Sequence, residues 1–127
     1  MELKVGLKNE VSEMVVYEKT AKAMGSGLQP VYATPSMVAL MEKCCCDSVI
    51  PYLEEGYATV GTGINIKHLS ATPMERKVRV ESVLKEIDRR RLVFDVVAYD
   101  EAGKIGEGEH ERFIIDTEKF LKKAQEK

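Results

Sequence analysis

The hydrophobic period of this chain changes once, and that change limits what it can fold into. In TPSMVALMEKCCCDSVIP, Thr34 to Pro51, apolar residues fall at Met37, Val38, Leu40, Met41, Cys44, Cys45 and Val49. That 3.6-residue period is broad enough for a mostly buried helix. From Ala58 onward the period becomes two, as in strands whose side chains alternate between faces. One long helix followed by a run of strands predicts an α+β domain, with the helices covering one side of an antiparallel sheet.

Local signals set the boundaries. Thr34 is expected to cap the helix and Pro35 to occupy its first position, while Pro51 ends or kinks it. Ahead of it, VSEMVVY (Val11 to Tyr17) reads as a first strand, and Gly25, Gly27 and Pro30 make Glu18 to Ala33 a loop or irregular crossing. In the next strand Val60, Ile64, Ile66 and His68 are expected on one face, with Asn65 and Lys67 on the other. Pro73 closes it. Lys77 to Ile87, Leu92 to Asp100 and Lys104 to Asp116 follow, joined by the turns DRRR and DEAG, so these strands read as a meander. A C-terminal helix begins at Thr117, capped by Asp116 or Thr117. So small a sheet has edges to cover, which predicts a homodimer or higher homo-oligomer.

The 127 residues suit one domain, Met1 to Lys127, able to bury about two thirds of its unfolded surface without a metal or disulfide. Nineteen basic and 21 acidic side chains leave no basic field to attract nucleic acid. No apolar run approaches the ~18 residues of a membrane span, and Met1 to Leu7 does not resemble a signal peptide. The three cysteines are adjacent, Cys44 to Cys46, which predicts reduced thiols and a cytoplasmic setting. With only two histidines, His68 and His110, and no spaced thiols, a four-ligand zinc site is not expected.

Three residues carry chemical interest. Glu42 falls on the apolar stripe of the helix, where an ionised carboxylate needs a partner. His68 is a titratable ring at the end of a strand, though such a histidine is often structural. Thr34 is explained by capping alone. If the helix crossed the inner face of the sheet, however, these three would supply a hydroxyl, a base and a carboxylate, the logic of acyl transfer. Gly61 and Gly63 would let backbone approach a ligand. Arg89, Arg90 and Arg91 read as a solvated turn or, alternatively, as a contact for phosphates. His110 and Arg112 share a strand face opposite Glu107, Glu109 and Glu111.

YATPSMVALME (Tyr32 to Glu42), PYL (Pro51 to Leu53), TVGTGINIKHLSATP (Thr59 to Pro73) and GEGEHERFII (Gly106 to Ile115) together resemble the fluoroacetyl-CoA thioesterase-like branch of the hotdog-fold thioesterases. The resemblance covers most of the chain. It implies a long helix wrapped by an antiparallel sheet of about five strands, and a dimer with sites at the subunit interface. By the same resemblance, Thr34, Glu42 and His68 are catalytic, Gly61 and Arg112 bind substrate, and an acyl-CoA thioester is hydrolysed to a carboxylate and CoA without a cofactor. The family's fluoroacetyl-specific enzyme carries a phenylalanine-bearing lid, and the matching Glu18 to Ala33 has no phenylalanine. Thioester chemistry is therefore implied, and fluoroacetyl selectivity is not. Two other readings use the same fold: a dehydratase or hydratase that moves protons on the acyl chain, and an acyl-CoA-binding protein without turnover.

Overall fold

The computed structural model describes residues 2–127; Met1, which opens the stretch assessed as a leader, lies outside them. The elements are β1 (Lys8–Met14), α1 (Ala21–Met24), α2 (Thr34–Val49), β2 (Tyr57–His68), β3 (Lys77–Asp88), β4 (Arg91–Asp100), β5 (Gly103–Asp116) and α3 (Thr117–Gln125). All five strands form one antiparallel sheet in the order β1-β3-β4-β5-β2. This is the α+β arrangement expected, with α2 packed along the inner face. No helix among the described residues is long and apolar enough to cross a membrane.

Helix α2 ends at Val49 and passes into a single 3-10 turn, Ile50–Tyr52, because Pro51 cannot continue the ladder. Its buried face meets the sheet through Met37, Leu40, Met41, Cys44, Cys45 and Val49, which pack with Val78, Val80, Leu84, Leu92, Phe94, Val96, Ala98 and Ile105. Each large apolar side chain taken fully from water contributes roughly 1.5–3 kcal/mol, so this seam holds helix and sheet together. Val38 is only half-buried, whereas Ser36, a polar residue the apolar pattern passed over, is buried with its hydroxyl on the Lys19 carbonyl. Asp116 caps α3 as expected, its side chain accepting from the Lys119 amide.

Three expectations need correction. The first strand begins and ends three residues earlier, since after Met14 the chain turns inward to bury Val15 and makes a 3-10 turn at Tyr17–Lys19. The meander holds for β3, β4 and β5, but β2 lies beside β5, not β3. Lastly, the register against β5 shifts between Gly61 and Gly63, so Thr62 is an extra residue. That bulge reverses the alternation. Ile64, Ile66 and His68 share the inner face with Thr59 and Gly61, and Val60 takes the other side.

Two glycines of β5 are required by close contact. A Cβ on Gly108 would sit 2.1 Å from the Asn65 carbonyl oxygen, and one on Gly106 would sit 2.6 Å from the Met37 sulfur. Their bare backbone lets β2 and α2 close over this end of β5.

Candidate active site

Thr34 is the first residue of α2 and not its cap. Ala33 holds the cap position in extended conformation and makes no side-chain cap bond. The Thr34 hydroxyl is therefore free for other work, and its Oγ1 lies 2.8 Å from His68 Nδ1. His68 closes β2 at a point fixed by the Leu69 amide, which donates to the Ile105 carbonyl at 2.6 Å. Burial lowers the His68 pKa, against a smaller opposing effect of the Ser70 backbone, so the ring is neutral near pH 7 and able to accept a proton. Its Nε2 is buried and makes no hydrogen bond to any described residue. A buried polar atom without a partner is unusual, because desolvation without a hydrogen bond costs free energy. The pair borders a cleft of about 340 Å³ that also includes Ala21, Ser26, Val31 and Leu69.

Glu42 belongs to a second cluster. Its carboxylate lies at the margin of the buried face, 43% exposed, with Oε2 3.9 Å from Arg112 Nη1. Arg112 is 6% exposed and tightly held: Nε donates to Thr59 Oγ1 at 2.8 Å, Nη2 to the Thr59 carbonyl at 3.0 Å, and Nη1 faces His110 Nε2 at 3.0 Å. Gly61 completes the group, since a Cβ there would come within 2.8 Å of Glu42 Oε2.

Within one chain the structure thus brings Thr34 to His68, and Glu42 to Gly61 and Arg112, but does not bring the two sets together. Eight residues of helix separate Thr34 from Glu42, about 12 Å along its axis. Of the arginine run, Arg91 is engaged by Glu86 and Glu111, and Arg90 lies 5.8 Å from the Tyr57 ring. His110, 2% exposed, is the residue whose involvement the sequence did not reveal. Its face was legible from the spacing to Arg112, but that the face turns inward depends on the pairing with β2.

The family model described as fluoroacetyl-CoA-specific thioesterase matches residues 15–118. A curated relative, the fluoroacetyl-CoA thioesterase of Streptantibioticus cattleyicolor, is 43% identical over 97 residues, covering 76% of this chain and 70% of that one. Among solved structures, one of the fluoroacetyl-CoA thioesterase superposes with a TM-score of 0.95 at 35% identity, covering 100% of this chain and 98% of the other. A thioesterase superfamily member from Thermus thermophilus gives 0.89 at 30% identity, over 97% and 91% of the two chains.

Proposed function

This chain belongs to the fluoroacetyl-CoA-specific thioesterase family and has its hotdog fold, and from that premise we propose that it opens the thioester of a small acyl-CoA at a site shared between two copies of itself. It is an acyl-CoA thioesterase. The observation that carries the shared site is the 2.8 Å contact of Thr34 with His68 Nδ1, beside a buried Nε2 that no described residue of its own chain partners.

Strand β2 lies at the edge of the sheet, with Gly61 to Asn65 exposed, and such an edge is a template for pairing with another chain. Antiparallel pairing of two β2 strands about the Ile64–Asn65 junction sets His68 opposite the partner subunit's Gly61. In α2, Thr34 and Glu42 are spaced equally about Val38, so a two-fold axis that also passes beside Val38 sets Thr34 opposite the partner subunit's Glu42. Both spacings favour one assembly. Each site then takes a hydroxyl and an imidazole from one copy and a carboxylate, Gly61 and Arg112 from the other.

In this site the Thr34 hydroxyl donates to His68 Nδ1 and the partner's Glu42 accepts from Nε2–H, holding the ring in the tautomer that can act as a base. Thr34 Oγ1 attacks the thioester carbon as its proton passes to His68. The carbon–sulfur bond breaks, and the proton leaves with the CoA thiol. Water, activated by the same imidazole, then releases the carboxylate and restores the hydroxyl. Gly61 and Arg112 of the partner copy line the acyl side. The cleft beside Thr34, about 340 Å³, suits a short acyl group.

Mixing two inactive variants tests the shared site. Thr34→Ala and Glu42→Ala are unfolded together and refolded in equal amounts, and thiol release from short acyl-CoAs is followed. About a quarter of wild-type activity is expected, because half of the dimers are mixed and each mixed dimer has one intact site of two. A mixture no more active than its components overturns sharing.

A further inference from the structure

We propose that His110 is a positioning residue for this site: as a neutral imidazole clamped between Gly63 and Arg112, it fixes both the β2 bulge and the guanidinium that faces Glu42. Its effect on turnover rests on the thioesterase reading, but the clamp itself does not.

The hydrogen bonds assign its proton. His110 Nδ1 lies 2.8 Å from the Gly63 carbonyl oxygen, which only accepts, so Nδ1 carries the hydrogen. Arg112 Nη1, 3.0 Å from Nε2, only donates, so Nε2 must offer its lone pair. A single neutral tautomer satisfies both neighbours. Protonated His110 would present an N–H to a guanidinium N–H at 2% exposure, where the charge is poorly solvated. The ring is also packed against Phe94, with centroids 6.5 Å apart.

Both held groups belong to the Glu42 cluster. Gly63 ends the register shift that turns Gly61 inward, and Arg112 Nη1 is shared between His110 and Glu42. Losing the His110 bond therefore frees one end of the guanidinium and the carbonyl that shapes the bulge. The charged groups around the ring are Arg112 and Glu111 from its own strand, Glu42 from α2, and Arg91 from β4 acting through Glu111. Burial is the largest influence and favours the neutral ring; Arg112 adds to it, while Glu42, Glu111 and the bond to Gly63 oppose it.

Nitrogen-15 NMR of the histidine rings reads the clamp directly. The chain has two histidines, so a His110→Gln spectrum assigns both. Wild type is expected to show His110 as the Nδ1–H tautomer at neutral pH. A Glu42-side readout comes from kinetics: His110→Ala is expected to lower kcat by about 10- to 100-fold with KM little changed, the scale of a small misplacement of reacting groups. Glutamine can donate to Gly63 and accept from Arg112, so His110→Gln recovers most of that loss. It also removes one titration, and the acid limb of log kcat/KM falls with two protons in wild type and with one in His110→Gln.

An Nε2–H tautomer or a cationic His110 at neutral pH overturns the clamp. So does an alanine variant that folds and matches the glutamine variant, or an acid limb that keeps the same proton count in both. Should His110→Ala fail to fold, the tautomer and the proton count of wild type against His110→Gln decide. Should wild type release no thiol, the thioesterase reading fails while the NMR still decides the clamp.

Discussion

Thr34 Oγ1 and His68 Nδ1 meet at 2.8 Å although 34 residues separate them in sequence. The start of a helix and the end of an edge strand thus converge on one hydroxyl–imidazole pair. A positioned base contributes typically ~10²–10⁴ in rate, so His68→Ala should lower kcat by about that factor with little change in circular dichroism. Thr34→Ser keeps a hydroxyl within reach and should stay well above Thr34→Ala. Thiol release from a short acyl-CoA measures both, and a His68→Ala enzyme with wild-type turnover removes the imidazole from the mechanism.

Much of this was legible before any coordinates. Pro35 and Pro51 bracket α2 because a proline fits the first turn of a helix and cannot continue its ladder. The alternation in β3 and β5 holds over Val78 to Leu84 and Gly106 to Arg112, and is interrupted by register shifts at Lys85 and Ile105. What the pattern hid was backbone geometry. One extra residue, Thr62, reverses the faces of β2 without altering the residue types on either side of it. Thr34 looked like a cap because Thr-Pro suits that place, and only the extended Ala33 before it shows that the hydroxyl is directed elsewhere. Glu42 and His68 belong to different ends of the same inner face, and in the proposed shared site they meet only across two copies, which no spacing along one chain reports.

Both histidines make stability depend on pH, and the sign follows from burial. Each has its pKa lowered from 6.5 in the folded protein, chiefly by desolvation. Below pH 6.5 the unfolded chain therefore binds protons that the folded chain resists, and stability rises with pH through that window. Their contribution is full above 6.5 and is lost as pH falls through the depressed folded values. Glu111, held below 4.5 by Thr62 and Arg91, acts in a separate and more acidic range. Urea midpoints measured from neutral pH down to about pH 5 should fall in wild type, and less steeply in His110→Gln. A flat wild-type profile contradicts the burial of both rings.

Gly61→Ala should damage activity more than the fold. The added Cβ would lie 2.8 Å from Glu42 Oε2, 3.2 Å from His110 Cε1 and 3.4 Å from Arg112 Nη1. The closest of these is the far end of a side chain that is 43% exposed, so Glu42 can swing away at small cost to stability. In the proposed site, moving the carboxylate takes it away from the reacting centre, and a misplacement near 1 Å can cost about 10²-fold in rate. The expected result is a near-normal melting temperature with a sharply reduced kcat. Equal losses of stability and activity would mean that Gly61 is needed for packing alone.

The same substitution at Gly108 should do the reverse, because what it meets cannot move. Its Cβ would fall 2.1 Å from the Asn65 carbonyl oxygen and 2.6 Å from the Ile66 Cα, both backbone atoms of the strand paired with it. Relief requires β2 to part from β5 where Ile66 pairs with Gly108, two residues from His68. Overpacking of this kind typically costs about 1–3 kcal/mol, and backbone against backbone belongs at the upper end. Gly108→Ala should therefore lower the urea midpoint well beyond any effect of Gly61→Ala, and activity should fall with the folded fraction. A Gly108→Ala protein with wild-type stability would show that β2 does not approach β5 this closely, and the position of His68 at the end of that strand would fall with it.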